Sequence, residues 1–383
     1  MAKTALELCR ALVQCPSVTP EEGSALTVLQ GELEAAGFTV ERVRFSEPGT
    51  PDVDNLYARI GSEAPYLIFA GHTDVVPVGD AAKWRFEPFS GAIADEALWG
   101  RGAADMKGGV AAFTAAACAY VAQNGTPNGS IGFLITGDEE GPSINGTQKL
   151  LAWTQEKCVR FDACLVGEPT SREVLGDMVK IGRRGSLNAT LIVEGRQGHA
   201  AYPALADNPI PKLLRLLDTL TAASLDAGTE QFDSSNLEIV SVDTGNKAFN
   251  IIPAKVQARF NVRFNDLWTP EMLSAELRRR LTTAGLPFTL NVEPCNAVAF
   301  RTEPGPFTTL VAEAIQRKTG RVPKLSTTGG TSDARFIQAY CPVVEFGLVG
   351  TTAHHVDEHI AIRDLDGLAE IYRAILDAYF CKK

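Results

Sequence analysis

The sequence lacks the features that mark a membrane protein, a disulfide-bonded protein or a nucleic-acid-binding protein. No apolar run approaches the roughly 20 residues that a membrane-spanning helix needs. The 8 cysteines are scattered and include no Cys-x-x-Cys pair, which argues against a thiolate zinc site and favours reduced thiols. Basic residues are not in excess either, because the formal net charge is −10. We therefore expect neither a nucleic acid nor a membrane as partner.

The amino-terminal segment lacks the uninterrupted apolar stretch of a signal peptide, because Glu7 and Arg10 lie within it. Ala5, Leu8 and Leu12 instead recur at helical spacing. Together with reduced cysteines, this predicts a cytoplasmic protein. A chain of 383 residues with 45% hydrophobic and 21% charged residues is typical of a globular protein, and its length favours two domains.

The first half of the chain contains strands that alternate with helices. The candidate strands are residues 38–45, 55–60, 66–70, 131–136 and 163–166, and an Ala-rich helix is predicted over about 107–123. Such an alternation predicts an α/β fold with a mostly parallel sheet covered by helices. In sheets of this kind, ligands bind beyond the carboxyl ends of the strands.

The pattern changes near Met178. From there the order strand–helix–strand–strand–helix–strand predicts a small split βαβ domain, in which Thr269 caps the second helix. A helix over 306–319, the strand PVVEFGL and a final helix then resume the first pattern. We therefore predict a catalytic domain formed by residues 1–179 and 293–383, with a small α+β domain, residues 180–292, inserted into it.

Histidine is scarce, and its positions are informative. The five histidines fall in only three short windows, namely His72, His199, and the group His354, His355 and His359. Each window also contains carboxylates, glycine or proline. This distribution is a first indication of a metal site.

His72 and Asp74, in the motif GHTDVVP, directly follow the apolar run Tyr66–Ala70. Side chains two positions apart on an extended segment point the same way, so a His-x-Asp pair can supply a metal ligand and the carboxylate that orients it. Taken alone, the pair also fits a polar surface loop. Asp105 lies on a Gly-rich turn directly before the Ala-rich helix, where an ordinary helix cap is the alternative.

Two further strands end in carboxylates. Asp138, Glu139 and Glu140 follow the strand 131–136, and Glu168 follows 163–166. Adjacent carboxylates repel each other unless a cation compensates or one stays protonated, although a single such window also fits an acidic loop. Considered together, the windows offer imidazole and carboxylate ligands without a thiolate. That set suits one or two Zn²⁺, or Co²⁺ or Mn²⁺, arranged for hydrolysis.

In this order, the motifs GHTDVVP, GRGAADMKGG, TGDEEG, GEPT and HHVDE resemble the zinc-dependent aminoacylase and carboxypeptidase family over nearly the whole chain. The resemblance implies two zinc ions with these ligands: His72 and Glu168 for one, Glu140 and a late histidine for the other, and Asp105 as the bridge. In relatives the late histidine precedes a glutamate by four residues, so Glu358 indicates His354 instead of the adjacent His355.

The resemblance also implies the catalytic roles. Glu139 is expected to be the general base that deprotonates the bridging water and later passes the proton to the leaving amine. Asp74 is expected to orient His72.

The segment KIGRRGSLNATLIVEGRQGHAAYP and the motif GGTSDARF resemble the branch of the family that removes succinate from N-succinyl-LL-diaminopimelate. Such a substrate carries several carboxylates, for which arginine is a fitting donor. The candidates are Arg183, Arg184, Arg263 and Arg335. One of the adjacent pair also fits a solvated surface charge, and the resemblance favours Arg183 as the residue that faces the ligand. Thr331 and Ser332, on a Gly-rich loop, are candidates for the succinyl carboxylate.

In the family, the histidine that corresponds to His199 reaches across a dimer interface to stabilise the tetrahedral oxyanion. The resemblance therefore implies a homodimer formed by the inserted domain, although His199 also fits a structural role. Tyr202 and Asn250 are weaker candidates for substrate contacts, and Phe249 stands where relatives often have an asparagine.

These patterns predict a dimeric dizinc amide hydrolase that acts on a small N-acyl amino acid, with N-succinyl-LL-diaminopimelate expected. Two alternatives remain at this point. One is another N-acyl amino acid deacylase, such as one that acts on acetylornithine. The other is a metal-free binding protein on the same fold.

Overall fold

The computed structural model describes residues 3–381 of the chain, which packs into two compact units. Within the described part, the larger unit comprises the residues up to Ile181, Thr302–Ser326, and those from Ser332 onwards. The smaller unit comprises Gly182–Arg301 and Thr327–Thr331. Each unit has its own buried apolar core.

The first part of the larger unit alternates helices and strands. Its elements are α1 (Ala5–Val13), α2 (Ala25–Ala35), β1 (Thr39–Phe45), β2 (Val53–Ile60), β3 (Tyr66–His72), β4 (Ala92–Ala94), β5 (Ala97–Trp99), α3 (Gly108–Asn124), β6 (Ser130–Thr136), α4 (Thr147–Glu156), β7 (Ala163–Val166) and β8 (Met178–Lys180). The strand and helix patterns predicted for this half therefore appear, with bounds that differ by a few residues.

The smaller unit follows the predicted element order and adds several two-residue strands. Its elements are β9 (Gly182–Arg183), β10 (Gly185–Glu194), β11 (Gly198–His199), α5 (Pro209–Thr221), β12 (Asn236–Asp243), β13 (Ile251–Ile252), β14 (Lys255–Phe264), α6 (Pro270–Thr283), β15 (Thr289–Val292) and β16 (Phe300–Arg301). An antiparallel four-stranded sheet has the order β12-β14-β10-β15. Residues alternate between buried and more exposed along β10, as expected of a sheet with one face on the core.

The helices of the smaller unit begin as their sequences predict. The side chain of Thr269 accepts a hydrogen bond from the N–H of Met272, and Asn208 does the same for Ile210 at the start of α5. The leucines of α6, and those of α5 except the exposed Leu214, are buried against the sheet together with the inward residues of β10 and β14.

The chain then returns to the larger unit. The remaining elements are α7 (Pro306–Thr319), β17 (Lys324–Ser326), α8 (Ala334–Ile337), β18 (Val343–Glu345), β19 (His359–Ala361) and α9 (Ile362–Tyr379). Within the described residues, the main sheet has eight strands in the order β1-β2-β6-β3-β7-β18-β8-β17. The central pairs β6–β3, β3–β7 and β7–β18 are parallel, whereas β1 and β2 are antiparallel neighbours. The prediction of an α/β fold with a mostly parallel sheet is confirmed.

The centre of this sheet is apolar on both faces, because helices cover it on both sides. Every residue of β6 is buried, and so are all residues of β3 except Gly71. On one face Phe69 stacks on Phe113 of α3 with 4.3 Å between ring centroids. A Cβ atom on Gly109 would lie 2.3 Å from the carbonyl oxygen of Gly167, so only glycine lets the start of α3 lie this close to the end of β7.

Two features of the larger unit could not be predicted from periodicity. One is a small sheet with the order β19-β5-β4, whose strands have three residues each. The other is the pair β8 and β17 at the edge of the main sheet. Within residues 3–381, none of the helices combines the length and the apolarity that crossing a bilayer requires.

Candidate metal centre

Three neighbouring parallel strands deliver side chains to one edge of the main sheet. His72 is the last residue of β3, while Glu139 and Glu140 follow β6 and Glu168 follows β7. Because the carboxyl ends of parallel strands meet at the same edge, these groups converge. His72 Nε2 lies 3.7 Å from Glu168 Oε1 and 4.0 Å from Glu139 Oε2.

Asp105 joins this group from the short turn before α3. Its carboxylate lies between two histidines, with Oδ1 at 3.3 Å from His72 Nε2 and Oδ2 at 3.3 Å from His354 Nε2. His354 Nε2 also lies 2.7 Å from Glu140 Oε1. One aspartate therefore connects the pair formed by His72 and Glu168 with the pair formed by Glu140 and His354.

The ring of His72 is held in one orientation. Its Nδ1 lies 2.9 Å from the carbonyl oxygen of Asp74, which can only accept a hydrogen bond, so Nδ1 carries the hydrogen and Nε2 faces the carboxylates. The carboxylate of Asp74 is farther away, with Oδ1 at 3.5 Å from Nδ1. That carboxylate instead accepts the backbone N–H groups of Glu139 and Glu140, at 3.3 and 3.0 Å.

The electrostatics of the site follow from the burial of several charges in one place. Burial opposes the charged form of His72, but its contacts with Asp105 and Asp74 outweigh this and hold its pKa well above the usual value. Contacts with Asp105 and Glu140 raise the pKa of His354 to about 10. Burial opposes the charged form of Asp105, but the close contacts with His354 and His72 outweigh it and hold the pKa of this carboxyl well below its usual range.

The pKa of Glu139 is shifted in the direction opposite to that of Asp105. Burial is the main cause that raises the pKa of this carboxyl well above its usual value, and the negative charge of Glu168 raises it further. An additional positive charge at the site would therefore favour the ionised form of Glu139.

The donor atoms fit a divalent cation. His72 Nε2 and Asp105 Oδ1 are buried, and neither has a partner in hydrogen-bond geometry among residues 3–381. Ligand atoms of His72, Asp105 and Glu140 lie within 4.8 Å of one another, and so do those of His72, Glu139 and Glu168. Imidazole and carboxylate donors in this arrangement suit a metal such as zinc at an open hydrolytic site.

The late histidines occupy different environments. The side chain of His354 is 48% exposed and points to Asp105 and Glu140, whereas that of His355 is exposed. His359 is partly buried, donates from Nδ1 to the carbonyl oxygen of Asp357 and stacks on Trp99 at 4.1 Å between centroids. Of these three residues, the structure brings only His354 to the carboxylates.

The sequence reasoning missed a buried ion pair beside the site. Arg101 and Glu358 lie 2.7 Å apart, and their side chains are 3% and 0% exposed. Both residues lie within quoted motifs, GRGAADMKGG and HHVDE, but a charged residue in a motif is not by itself a signal of burial.

The candidate substrate residues of the larger unit are both buried. The hydroxyl of Ser332 donates to Glu345 Oε1 at 3.0 Å. Arg335 lies over the ring of Phe336, and its Nη1 is 3.6 Å from Asp333 Oδ1. Asp333 was missed as a site residue, and burial raises the pKa of its carboxyl.

The smaller unit contains the other candidates. Arg183 is buried and donates to the carbonyl oxygen of Gly330 at 3.1 Å, and the partly buried Arg263 has its pKa lowered by burial and by the nearby Arg184. The hydroxyl oxygen of Thr331 is buried, with no hydrogen-bond partner among the described residues.

His199, Tyr202 and Asn250 lie together on an exposed part of the smaller unit. The rings of His199 and Tyr202 are 5.5 Å apart, and the carbonyl oxygen of Asn250 accepts the N–H of Ala200 at 2.9 Å. All three residues are exposed, and Phe249 is fully exposed beside them.

Comparison with known proteins gives a consistent family. The model of "Peptidase family M20/M25/M40" matches residues 68–378. A protein of Beijerinckia indica subsp. indica, named succinyl-diaminopimelate desuccinylase, is 62% identical over 99% of this chain and 100% of its own length.

Two solved structures show the same fold at low sequence identity. An M20 family metallo-carboxypeptidase from Sulfolobus solfataricus is 18% identical, covers 98% of this chain and 99% of its own, and has a TM-score of 0.81. A dinuclear metal-binding peptidase of the M20 family from Bacillus subtilis is 14% identical, covers 98% and 97%, and has a TM-score of 0.67.

Proposed function

The chain belongs to peptidase family M20/M25/M40, and from this membership we propose that it hydrolyses N-succinyl-LL-diaminopimelate to succinate and LL-diaminopimelate. The observation that carries this function is the 62% identity, over 99% of the chain, to a protein named succinyl-diaminopimelate desuccinylase. The names of such relatives support this activity and not that of an acetylornithine deacetylase or a metal-free binding protein. The reaction belongs to the biosynthesis of diaminopimelate and lysine, which we place in the cytoplasm.

We assign the cation ligands by the contacts around Asp105. His72 and Glu168 would hold one ion, Glu140 and His354 the other, and Asp105 would contact both. Zn²⁺ is the ion we propose, with Co²⁺ or Mn²⁺ as substitutes. When bound, such ions supply Lewis acidity that polarises an amide carbonyl and makes water more acidic.

Glu139 is our general base. Its carboxylate oxygen Oε2 lies 4.0 Å from His72 Nε2, beside the ligand group, and it is not needed as a ligand in the assignment above. It takes a proton from the attacking water and gives it to the nitrogen of the leaving amine. Without this proton the nitrogen would have to leave as an anion, which is a poor leaving group. Asp74 positions this residue as well as His72, because its carboxylate accepts the N–H groups of Glu139 and Glu140.

The substrate is anionic, and the proposed contacts are cationic or hydroxylic. We propose Arg183, Arg263 and Arg335 for its carboxylates, with Thr331 and Ser332 for the succinyl group. Because the Ser332 hydroxyl already donates to Glu345, it would have to exchange that partner to donate to substrate. His199 would stabilise the oxyanion, and Tyr202 and Asn250 would contact the substrate.

We further propose a homodimer formed through the smaller unit. On the edge strand β12, Val240 is 66% and Val242 is 52% exposed. An apolar edge strand is a natural pairing surface, because its backbone groups and side chains lack a neighbour. A dimer would also place His199, which is exposed in one subunit, where a second subunit can use it.

The test is hydrolysis of N-succinyl-LL-diaminopimelate by zinc-loaded protein, with N-acetylornithine assayed in parallel. We expect turnover of the succinyl substrate only, and loss of that turnover on chelation with recovery on adding Zn²⁺. Preference for the acetyl substrate would refute the proposed substrate while leaving the metal chemistry. Turnover that survives complete metal removal would refute the metal assignment.

A further inference from the structure

The buried ion pair between Arg101 and Glu358 joins two segments that are 257 positions apart in sequence. Arg101 lies in the segment that leads to Asp105, and Glu358 lies in the segment that carries His354. Glu358 makes three of its four side-chain bonds with the backbone of the Arg101 segment, and Arg101 donates to two carbonyl oxygens of the His354 segment. The pair therefore links the segments of two proposed ligands, although neither of its members is a proposed ligand.

The carboxylate of Glu358 is fully used by the segment of Asp105. It accepts the guanidinium of Arg101 at 2.7 Å and the backbone N–H groups of Gly102, Ala104 and Asp105 at 3.0, 2.9 and 3.1 Å. Four donors converge on one buried carboxylate, which an uncharged side chain of the same size cannot accept to the same extent. These bonds fix the backbone on both sides of the turn that carries Asp105.

The guanidinium of Arg101 reaches in the other direction. It donates to the carbonyl oxygens of His355 at 3.2 Å, of Pro77 at 3.3 Å and, at 3.5 Å, of His354. Its plane lies over the ring of Trp84, 5.2 Å from the centroid. A lysine has one donor nitrogen in place of this planar fork and cannot make the same set of contacts.

The segment of His354 needs such support, because it is not part of a regular element. His354 and Asp357 have φ values of 64° and 63°, in the left-handed region that non-glycine residues rarely adopt. Backbone in this region persists where surrounding contacts hold it. The bonds from Arg101 are contacts of this kind.

We infer that Arg101 and Glu358 are positioning residues that set the distance between Asp105 and His354 for a shared cation. The inference rests on the proposed function for the identity of the ligands. The affinity for the ion held by Glu140, His354 and Asp105 should depend on the pair of Arg101 and Glu358. The ion held by His72 and Glu168 depends on it less, because those ligands stand at the ends of adjacent strands of the main sheet.

The test uses Arg101→Lys and stepwise binding of Co²⁺ to the metal-free, full-length protein, followed by visible absorption and equilibrium dialysis. Wild-type protein is expected to bind two ions. The variant is expected to bind one ion with affinity close to wild type and the second at least about tenfold more weakly, the range typical of residues that position a ligand. The absorption that appears with the second ion shifts or is lost.

A matched control exists in the smaller unit. Arg280 pairs with Glu276 at 2.8 Å and donates to three carbonyl oxygens, those of Leu220, Ala223 and Ser224. Arg280→Lys removes the same type of fork, but it lies in a unit without proposed metal ligands. We expect both of its Co²⁺ affinities to equal those of wild type, even where its melting temperature falls.

A second variant keeps the test decisive if Arg101→Lys does not fold. Glu358→Gln retains the shape of the side chain but replaces one acceptor with a donor, and it is expected to weaken the same second ion. In the double variant the loss should be no larger than in the more affected single variant, because both residues act in one network.

Two results would overturn the inference alone: wild-type affinity for both ions in the folded variants, or an equal loss of both ions that also occurs in Arg280→Lys. Wild-type protein that binds fewer than two ions would overturn the assignment of two ions made under the proposed function, and the inference with it. The wild-type titration thus separates failure of one from failure of the other.

Discussion

Charged groups are arranged differently in the two units of this protein. In the smaller unit, the partly buried Asp226 accepts bonds from Gly228, Ser235 and Asn265 on Oδ1 and from Trp268 on Oδ2, so that both of its oxygens have partners within the fold. In the larger unit, His72 Nε2 and Asp105 Oδ1 face each other at 3.3 Å, yet neither has a hydrogen-bond partner among residues 3–381.

The difference follows from the two kinds of sheet. The smaller unit has an antiparallel sheet whose polar groups are bonded within turns and caps. The larger unit has parallel strands, whose carboxyl ends all reach one edge and leave a cleft there. Buried polar atoms without partners are costly in a folded protein unless something completes them. The edge of the larger sheet therefore leaves buried donor atoms available for a cation, whereas the bonds of Asp226 are made within its own unit.

The largest expected effect in the larger unit is that of Glu139→Ala, which should remove catalysis but leave metal binding. We expect kcat to fall by about 10⁴-fold, because no other carboxylate is placed to move the proton. Both metal ions should remain bound, since Glu139 is not among the assigned ligands. Single-turnover rates together with metal analysis measure the two effects, and normal turnover in this variant would refute the role of Glu139.

Asp105→Ala removes the carboxylate that contacts both histidines. We expect cation affinity to fall by more than about 100-fold, a larger loss than for a residue that only positions a ligand. Asp226→Ala is the matched change in the smaller unit, and it should lower the melting temperature but leave the affinity unchanged. Isothermal titration with Zn²⁺ or Co²⁺ measures both. If both variants lost metal equally, the contrast between the two units would have no functional meaning.

His199→Ala tests whether the smaller unit takes part in the chemistry at all. We expect kcat to fall by about 100-fold through loss of oxyanion stabilisation, with metal content and melting temperature as in wild type. The exposed His355 provides a control, because His355→Ala should retain full activity. An unchanged kcat in His199→Ala would refute the role of His199 in stabilising the oxyanion, and would leave the smaller unit only its proposed substrate contacts and its role in assembly.

Much of this contrast is visible in the sequence, and the reasons are physical. Apolar runs such as those of β3 and β6 predict central parallel strands, and polar residues directly after them mark the sheet edge. The positions of His72, Glu140 and Glu168 on the chain follow from that rule. The resemblance to a family supplied their expected roles.

Other features depend on contacts between distant segments. The bonds of Glu358 to the backbone around Asp105 span more than 250 positions, and no local pattern indicates which charged residue becomes buried. Likewise, the carbonyl oxygen of Asp74 accepts a hydrogen bond from His72, whereas its carboxylate accepts one from the backbone N–H of Glu140 after β6. Only the folded geometry defines which acceptor serves which donor.

The smallest expected effect is on how the stability of the metal-free protein changes with pH. In the metal-free protein, contacts with Asp105 and Glu140 raise the pKa of His354 to about 10, against about 6.5 in an unfolded chain. The pKa of His72 is raised too. A raised histidine pKa stabilises the folded state fully below about pH 6.5, and that contribution is lost as the pH rises towards 10.

We therefore expect the melting temperature of the metal-free protein to decrease between pH 6.5 and 10, and His354→Gln to decrease less over the same range. The effect should be modest, because the side chain of His354 is 48% exposed and water screens its ion pairs. Zinc should reverse the trend, since bound cations replace the protons on both histidines and bind more tightly as pH rises. If the melting temperature fell equally with pH in His354→Gln and in wild type, His354 would contribute none of this stabilisation. The pH dependence would then come from other charged groups at the sheet edge.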